Sequence, residues 1–246
     1  MVDYLWNLRL KFYQLKNYTA EDQQIMLKKI NKIYVRRPHK KESDFANNIL
    51  IFLEKNGFDF SQKYLGTDDD NYDYFEYIKG FVPLDIGNID INQLIEFMKI
   101  VKLMHDISTK FTNNNNLVIC HNDLSPCNVV FENNKPIAII DWDTASIGKR
   151  WEDLTYIVWL WINLGDPLKN DDLKLNQMEL CLKAYGLNKS ILRNFAEKLI
   201  WRMQKVINDM DIKNPQYQKT KKWVEYSQKW VGKNKEKIND IIKQCK

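Results

Sequence analysis

The eight residues His121-Asn-Asp-Leu-Ser-Pro-Cys-Asn128 indicate the fold more specifically than any other part of the sequence. They bring an imidazole, a carboxylate and a carboxamide together, and they lie between two apolar runs, residues 117–120 and 129–131. Short apolar runs bounded by turn residues are typical of buried strands. These polar side chains could simply belong to a solvated loop. A functional site is favoured instead if the surrounding sequence brings other polar groups close to them.

The sequence that follows predicts a hairpin. Residues 128–131 and 137–140 have the pattern of strands, and Glu132-Asn-Asn-Lys-Pro136 between them is rich in turn-forming residues. With the turn centred between its Asn and its Lys, Asn128 faces Asp141, and directly opposed side chains lie only about 5 Å apart. A carboxamide oxygen beside a carboxylate suits a hard cation such as Mg²⁺.

This combination of groups is typical of phosphoryl transfer. There a metal ion bridges phosphate oxygens, and a separate carboxylate receives the proton of the attacking hydroxyl. Protein kinases place an Asp two residues after a His, and an Asn five residues after that Asp. His121, Asp123 and Asn128 have this spacing. Asp141 stands where the metal-binding Asp of the kinase DFG sequence would be.

The octapeptide, followed by Ile139-Ile-Asp-Trp-Asp143, is similar to the central motifs of the aminoglycoside phosphotransferase and choline kinase-like family. In that family the loop reads H-x-D-x-x-x-x-N and the metal strand reads I-D-W. Glu152-Asp-Leu154 resembles the D-L element that follows them. The likeness extends through YVRRP, GF and EYIKG, over residues 33–165.

The resemblance implies an α+β, bilobal protein-kinase-like fold. A small, truncated N-terminal α/β lobe, residues 1–79, would bind the nucleotide. A larger, mainly helical C-terminal lobe, residues 80–246, would carry the catalytic groups and bind the acceptor. The implied activity is that of a small-molecule kinase. With Mg²⁺, it would transfer the γ-phosphoryl group of ATP or GTP to a hydroxyl of an aminoglycoside-like or amino-alcohol acceptor.

The resemblance also assigns roles within the octapeptide and the metal strand. Asp123 would orient or deprotonate the acceptor hydroxyl, and Asn128 and Asp141 would hold Mg²⁺. His121 is expected to brace the loop rather than to take part in the chemistry.

Two further carboxylates are expected to support the site. Asp143 either assists with the metal or caps the segment before Gly148. Asp153 either pins the catalytic loop by accepting hydrogen bonds or acts as a helix N-terminal carboxylate.

A predicted strand that begins at Ile33 supplies the phosphate contact. Arg36 lies where the family places a strand cation, and Arg37 is the alternative because the sequence does not fix the register. Either guanidinium could bind phosphate oxygens in a bidentate manner. Glu42 could pair with this arginine from the next helix, or it could be only a first-turn helix charge.

Residues 76–78 resemble the hinge between the two lobes of a kinase. The carbonyl of Glu76 and the amide of Ile78 would bind the edge of the base, and Phe75 would line its pocket. The same residues would also suit the core of an ordinary strand.

One departure from the kinase pattern bears on activity. Kinases cover the phosphates with a Gly-rich loop before the cation strand, but residues 1–32 contain no glycine. Either another segment, such as residues 5–16, covers the phosphates, or nucleotide binding is weak. The alternative function is therefore a catalytically weak, kinase-like nucleotide-binding module.

Composition excludes several other classes. The 246 residues are 44% hydrophobic with a net charge of +5, and no apolar window is long enough for a transmembrane helix. The four cysteines lack paired or metal-type spacing, which predicts reduced thiols in the cytoplasm.

Residues 219–246 hold nine lysines against three acids, but aromatic and aliphatic residues recur among them at helical spacing. We expect a closing helix and a monomer, with no nucleic-acid or membrane partner.

A different enzyme class could also use residues 139–143. Haloacid-dehalogenase-type phosphatases place D-x-D after an apolar strand, but they require Thr or Val where this chain has Ala145. That alternative also leaves Asp123 and Asn128 without a role.

Helical periodicity predicts the rest of the C-terminal lobe. Residue spacing indicates helices over 91–109, 151–164, 172–185, 189–210 and 216–243. Acids on the later helices could receive a cationic acceptor, although such acids more often face solvent. Three tryptophans could form an aromatic wall for a quaternary amine, but core positions are the better expectation: Trp159, Trp161 and Trp201.

Overall fold

A computed structural model of the protein describes residues 34–41, 43–83, 89–186 and 189–244. The predictions made for Ile33, for Glu42 and for residues 1–32 fall outside these ranges. The first described part is a small sheet with one helix. Its strands are β1 (Tyr34–Pro38), β2 (Tyr64–Thr67) and β3 (Tyr72–Glu76), arranged antiparallel in the order β1-β3-β2.

Helix α1 (Ser43–Lys55) belongs to this sheet lobe. Its Ala46, Ile49, Leu50 and Leu53 recur at helical spacing and are all buried, so one apolar stripe faces the core. The helix ends before Gly57, whose φ of 78° is the left-handed conformation that glycine adopts without strain. The helix expected to follow the predicted strand at Ile33 is therefore present in its described part.

The remaining helices form the larger lobe. Helix α2 (Ile91–Thr112) begins with a capping box in which Asp90 and Gln93 satisfy each other's backbone N–H groups. The others follow the central β segment along the chain: α3 (Arg150–Ile162), α4 (Asp171–Tyr185), α5 (Lys189–Leu192), α6 (Phe195–Asp209), α7 (Tyr217–Lys233) and α8 (Lys235–Gln244). None of the helices within the described ranges is long and apolar enough to cross a membrane.

Two of the predicted helices are each divided in the structure. The helix expected over 189–210 is broken at Asn194, which has a φ of 58° and separates α5 from α6. The helix expected over 216–243 is broken at Asn234, between α7 and α8. Apolar spacing continues across both breaks, so the periodicity did not reveal them. Asparagine adopts the left-handed conformation of Asn194 more readily than most side chains do, whereas Asn234 leaves the helical conformation with a φ of −102°.

The central β segment contains two strand pairs. Strand β4 (Val118–Cys120) pairs with β7 (Ser146–Gly148), a short strand that the sequence pattern did not predict. Strands β5 (Val129–Glu132) and β6 (Lys135–Ile139) form the predicted hairpin.

The predicted register of the hairpin is wrong by one residue. Val129 pairs with Ile139, so Asn128 lies opposite Ile140, whose N–H donates to the Asn128 carbonyl at 3.0 Å. The shift arises because the hairpin turns at Asn133 and Asn134, which both have positive φ, rather than between Asn134 and Lys135. A bulge between Val130 and Phe131 shifts the register by a further residue toward the turn.

This hairpin, β5–β6, joins the two lobes. On its β6 side, Ile139 exchanges backbone hydrogen bonds with residues 60–62 of the sheet lobe. On its β5 side, Phe131 exchanges two backbone hydrogen bonds with Phe81, at 2.7 and 2.8 Å. A Cβ on the neighbouring Gly80 would lie 2.4 Å from Val130 Cγ1, so this close approach requires glycine.

Candidate active site

The carboxylate of Asp153 fixes the backbone of the octapeptide. Its two oxygens accept hydrogen bonds from the N–H groups of His121 (2.9 Å) and Asn122 (2.8 Å), and one of them also contacts Nε2 of His105 (3.1 Å). Asp153 is fully buried. Burial alone would raise the pKa of Asp153, but the hydrogen bonds from His105 and the backbone lower it below its ordinary value. Asp153 hydrogen-bonds the loop and also lies in the first turn of α3, so its role in supporting the site stays a prediction.

His105 extends this support into the helical lobe. Its Nδ1 lies 2.7 Å from the hydroxyl of Tyr185, which in turn accepts from Arg150 at 3.0 Å. The Sγ of Cys120 lies near His105 and Asp153, with the three candidate ligand atoms within 4.8 Å of one another. Burial raises the pKa of the Cys120 thiol well above its usual range, and its Sγ lies 3.4 Å from the carbonyl of Lys149. We interpret the group as a hydrogen-bonding hub.

His121 braces the loop against the metal strand. The imidazole is buried, its Nε2 lies 3.0 Å from the carbonyl of Ile140, and its Nδ1 accepts from the N–H of Asp123 at 3.3 Å. Burial lowers the pKa of His121, which keeps the ring neutral with one donor and one acceptor nitrogen. These contacts agree with the bracing role expected for His121.

Asn128 and Asp141, the predicted metal ligands, lie near each other at the ends of the hairpin, where the N–H of Ile140 donates to the Asn128 carbonyl. The amide group of Asn128 donates to the carbonyl of Asp123 at 2.8 Å, so its amide oxygen is the atom suited to a cation. Asp141 has a φ of 64°, a left-handed conformation that turns the chain sharply just after β6. A carboxamide oxygen and a carboxylate are hard ligands, and this set therefore fits Mg²⁺.

Asp123 is held from the helical lobe as well as from its own loop. Oδ1 of Asp123 accepts a hydrogen bond from the hydroxyl of Tyr156 at 2.8 Å. Sequence reasoning missed Tyr156. The signal was its position three residues after Asp153, which puts both side chains on one face of α3.

The two adjacent arginines of β1 face different partners. Arg36 pairs with Asp68 at 3.2 Å and stacks on the ring of Tyr72, at 3.5 Å from its centroid. Arg37 lies over the ring of Phe75 and pairs with Asp143 at 2.7 Å. Successive strand side chains point to opposite faces, so only Arg37 reaches the segment that follows the metal strand.

The structure therefore locates the alternative residue, Arg37, beside the catalytic segment, and Arg36 away from it. The role of either arginine in phosphate binding stays a prediction, as do the two readings of Asp143.

The residues predicted to form the hinge occupy the end of β3. Phe75 is buried in the core and packs against Tyr64, with ring centroids 5.6 Å apart. The N–H of Glu76 donates to the Lys63 carbonyl, whereas its side chain is exposed, and Ile78 is half-buried after the strand. The core position of Phe75 is the alternative that the sequence left open, and the nucleotide contacts of all three residues stay predictions.

Two of the acids that could have bound a cationic acceptor form ion pairs with lysines instead. Asp171 pairs with Lys233, and Asp172 pairs with Lys237, so these acids bind the lysine-rich closing helices. Trp159 and Trp161 are buried core residues, as expected. Trp201 is 48% exposed and packs edge-on against Trp151, so the core expectation was wrong for it.

Comparison with known proteins supports the same interpretation. The family model described as the phosphotransferase enzyme family matches residues 99–175, which run from α2 through the octapeptide into α4. Among curated proteins, the trifolitoxin immunity protein of Rhizobium leguminosarum bv. trifolii is 26% identical over 178 residues, or 62% of this chain and 67% of that protein.

Two solved structures share the fold. An aminoglycoside phosphotransferase from Alicyclobacillus acidocaldarius has a TM-score of 0.57 at 10% identity, over 93% of this chain and 96% of that one. Choline kinase from Streptococcus pneumoniae has a TM-score of 0.53 at 15% identity, over 90% of each chain. Together with the family match, they confirm the predicted resemblance and the kinase-like fold. The match over residues 99–175 also supports the prediction of a phosphotransferase enzyme.

The hub makes a prediction about stability. Asp153→Asn should lower the free energy of unfolding by roughly 3 kcal/mol at pH 7, because one amide oxygen cannot replace two carboxylate oxygens in a buried network. The pKa of Asp153 is lowered on folding, so its stabilising contribution is complete above the ordinary aspartate value of 3.8 and is lost as the pH falls through the lowered pKa. The difference between variant and wild type should therefore shrink below pH 3.8.

Urea unfolding of both proteins across this pH range provides the measurement. Asp172→Asn is the matched control, because Asp172 is 83% exposed and pairs with Lys237 only at the surface. Equal loss of stability in the two variants at pH 7 would contradict the role given to the hub.

Proposed function

We propose that this chain, whose central segment is that of a phosphotransferase enzyme, is a small-molecule kinase with ATP or GTP as donor and Mg²⁺ as cofactor. The acceptor is a hydroxyl of an aminoglycoside-like or amino-alcohol compound. The observation that carries the proposal is the convergence of Asp123, Asn128 and Asp141. It rests on the Asn128 side chain bonded to the Asp123 carbonyl, and on His121 and Asn128 both bonded to Ile140.

In the proposed reaction, Asp123 accepts the proton of the acceptor hydroxyl. The acceptor oxygen forms a bond to the γ-phosphorus, while the bond from that phosphorus to the β–γ bridging oxygen breaks and the nucleoside diphosphate leaves. Bound Mg²⁺ would be held by Asn128 and Asp141 and would neutralise charge on the phosphate oxygens. His121 keeps Asp123 and the metal strand in fixed relation throughout.

For the phosphate contact we favour Arg37 over Arg36. Arg37 already binds a carboxylate, Asp143, two residues after the proposed metal ligand Asp141. A guanidinium that binds a carboxylate in this position could exchange it for phosphate oxygens, since arginine binds both groups in a bidentate manner. Arg36 is held by Asp68 and Tyr72 on the other face of the strand.

Two acceptor classes are supported by the names of the similar structures, one an aminoglycoside phosphotransferase and the other a choline kinase. One fold accommodates many acceptors, so the choice between them is left to the experiment. We further propose that the protein acts as a cytoplasmic monomer. Its buried thiols at Cys120 and Cys181 suit a reducing compartment.

The second candidate function is a nucleotide-binding module of low catalytic activity. Two observations favour it: residues 1–32 contain no glycine, and the curated relative is named for immunity to a toxin rather than for an enzymatic activity. Nucleotide binding without turnover would move this candidate to first place.

The first test concerns the donor site. Saturating Mg-ATP or Mg-GTP should raise the Tm of the wild type by about 5 °C, because ligand that binds only the folded state stabilises it. Asp141→Ala should lose the part of this rise that depends on Mg²⁺. A magnesium-dependent rise of equal size in the variant would contradict the assigned metal ligand, and no rise in the wild type at millimolar nucleotide would contradict a donor site.

The second test concerns turnover. Asp123→Asn should reduce phosphoryl transfer at least about 100-fold, because a general base contributes 10²–10⁴-fold. Its Tm and its Mg-nucleotide shift should match the wild type, since the variant keeps the shape of the side chain. The acceptors screened would be choline, ethanolamine and a panel of aminoglycosides, with transfer followed by nucleoside diphosphate release. Turnover retained in this variant would refute the role of Asp123.

The third test uses the neighbouring arginines as a matched pair. Arg37→Ala should weaken Mg-ATP binding at least about tenfold, since hydrogen bonds to charged groups contribute roughly 1.5–3 kcal/mol. Arg36→Ala should leave nucleotide affinity within twofold of wild type, because its partners lie on the other face of β1. Isothermal titration of both variants would decide, and the opposite order of effects would restore Arg36 as the phosphate contact.

A further inference from the structure

The hydroxyl of Tyr156 lies 2.8 Å from the carboxylate of Asp123, and nothing in the proposed reaction so far uses this contact. Tyr156 comes from α3, the helix that also carries Asp153. The two residues are three positions apart, so they project from the same face one turn apart. Asp153 binds the backbone of the loop, whereas Tyr156 reaches the side chain that does the chemistry.

A second contact fixes Tyr156 itself. The guanidinium of Arg202, on α6, lies 4.7 Å from the centre of the Tyr156 ring. The same guanidinium donates to the carbonyl of Asn122, the residue just before Asp123. Arg202 is only 4% exposed, so the loop, the tyrosine ring and the arginine form one packed unit.

The hydroxyl of Tyr156 remains a hydrogen-bond donor under working conditions. Burial and the charge of Asp123 raise the pKa of Tyr156 well above its usual range. A phenol that stays protonated donates to a carboxylate and fixes its rotation, whereas it cannot compete with that carboxylate for the proton of the acceptor.

We propose that Tyr156 is a positioning residue for Asp123. Its hydroxyl holds one oxygen of the carboxylate so that the group faces the acceptor hydroxyl in a fixed orientation, and Arg202 holds the ring of Tyr156 in place. The inference rests on the proposed function. It adds to that site a residue from outside the two motifs, and it gives a role to the hydroxyl that lies beside Asp123.

A purely structural tyrosine would give a different result in one experiment. The phenylalanine variant, Tyr156→Phe, removes only the hydroxyl and keeps the ring under Arg202. Turnover of Mg-ATP would be measured with water as the acceptor and, where the screen of choline, ethanolamine and aminoglycosides yields a substrate, with that compound as well. The variant should show a kcat at least about tenfold lower, with the KM for Mg-ATP within twofold of the wild type.

Thr155→Val is the matched control. It deletes a buried hydroxyl one residue away on the same helix. That hydroxyl donates to the backbone carbonyls of Trp151 and Glu152 within the helix. The kcat of this variant should stay within twofold of the wild type. Thermal unfolding of both variants checks that each is folded.

A double-mutant cycle separates positioning from structure. In an Asp123→Asn background, Tyr156→Phe should have no further effect on kcat, because the hydroxyl acts through the carboxylate that is already gone. An equal slowing by Tyr156→Phe in both backgrounds, or a kcat equal to that of Thr155→Val, would overturn the inference and leave the proposed function intact. A wild type that turns over neither with water nor with any screened acceptor would overturn the proposed function, and the inference with it.

Discussion

The structure depends on one buried carboxylate. Asp153 accepts hydrogen bonds from two consecutive backbone N–H groups, and a short polar loop can keep a fixed shape only when such groups are satisfied. Because His105 and Tyr185 stand behind this carboxylate, the loop is tied to α2 and α4 as well as to α3. Asp123 is linked to this network through the imidazole of His121, and Asn128 is linked to it through the Asp123 carbonyl, so the conformation of the loop depends on the helical lobe.

The octapeptide and its hairpin could be predicted closely because their pattern is local in sequence. The spacing of His121, Asp123 and Asn128 and the turn-rich hairpin predicted the fold class, since a residue's place in a short motif does not depend on distant packing. The one-residue error in register came from the turn at Asn133 and Asn134 and from the bulge after Val130, which depend on backbone conformations that periodicity does not encode. The breaks at Asn194 and Asn234 escaped for the same reason.

Contacts between distant segments were the part that sequence could not supply. Arg36 and Arg37 are chemically equivalent in the sequence, and only the pairing of β1 with β3 decides which of them faces the catalytic segment. Tyr156 is one of twelve tyrosines, and its importance comes from where α3 directs it. Acids that looked available to an acceptor instead pair with lysines of the closing helices, a choice that depends on how α4 packs against α7 and α8.

The contacts that hold residues 122–124 are widely separated along the chain. Tyr156 lies 33 residues beyond Asp123, Trp161 lies 37 residues beyond the Leu124 carbonyl that it binds, and Arg202 lies 80 residues beyond Asn122. Contacts between residues far apart in sequence have a large entropic cost of loop closure. They therefore slow the folding of the region that they stabilise. During synthesis, the octapeptide leaves the ribosome long before α6 does. The octapeptide therefore reaches its final conformation only when the helical lobe has docked. A nascent chain can carry every residue of the motif before the loop has that conformation.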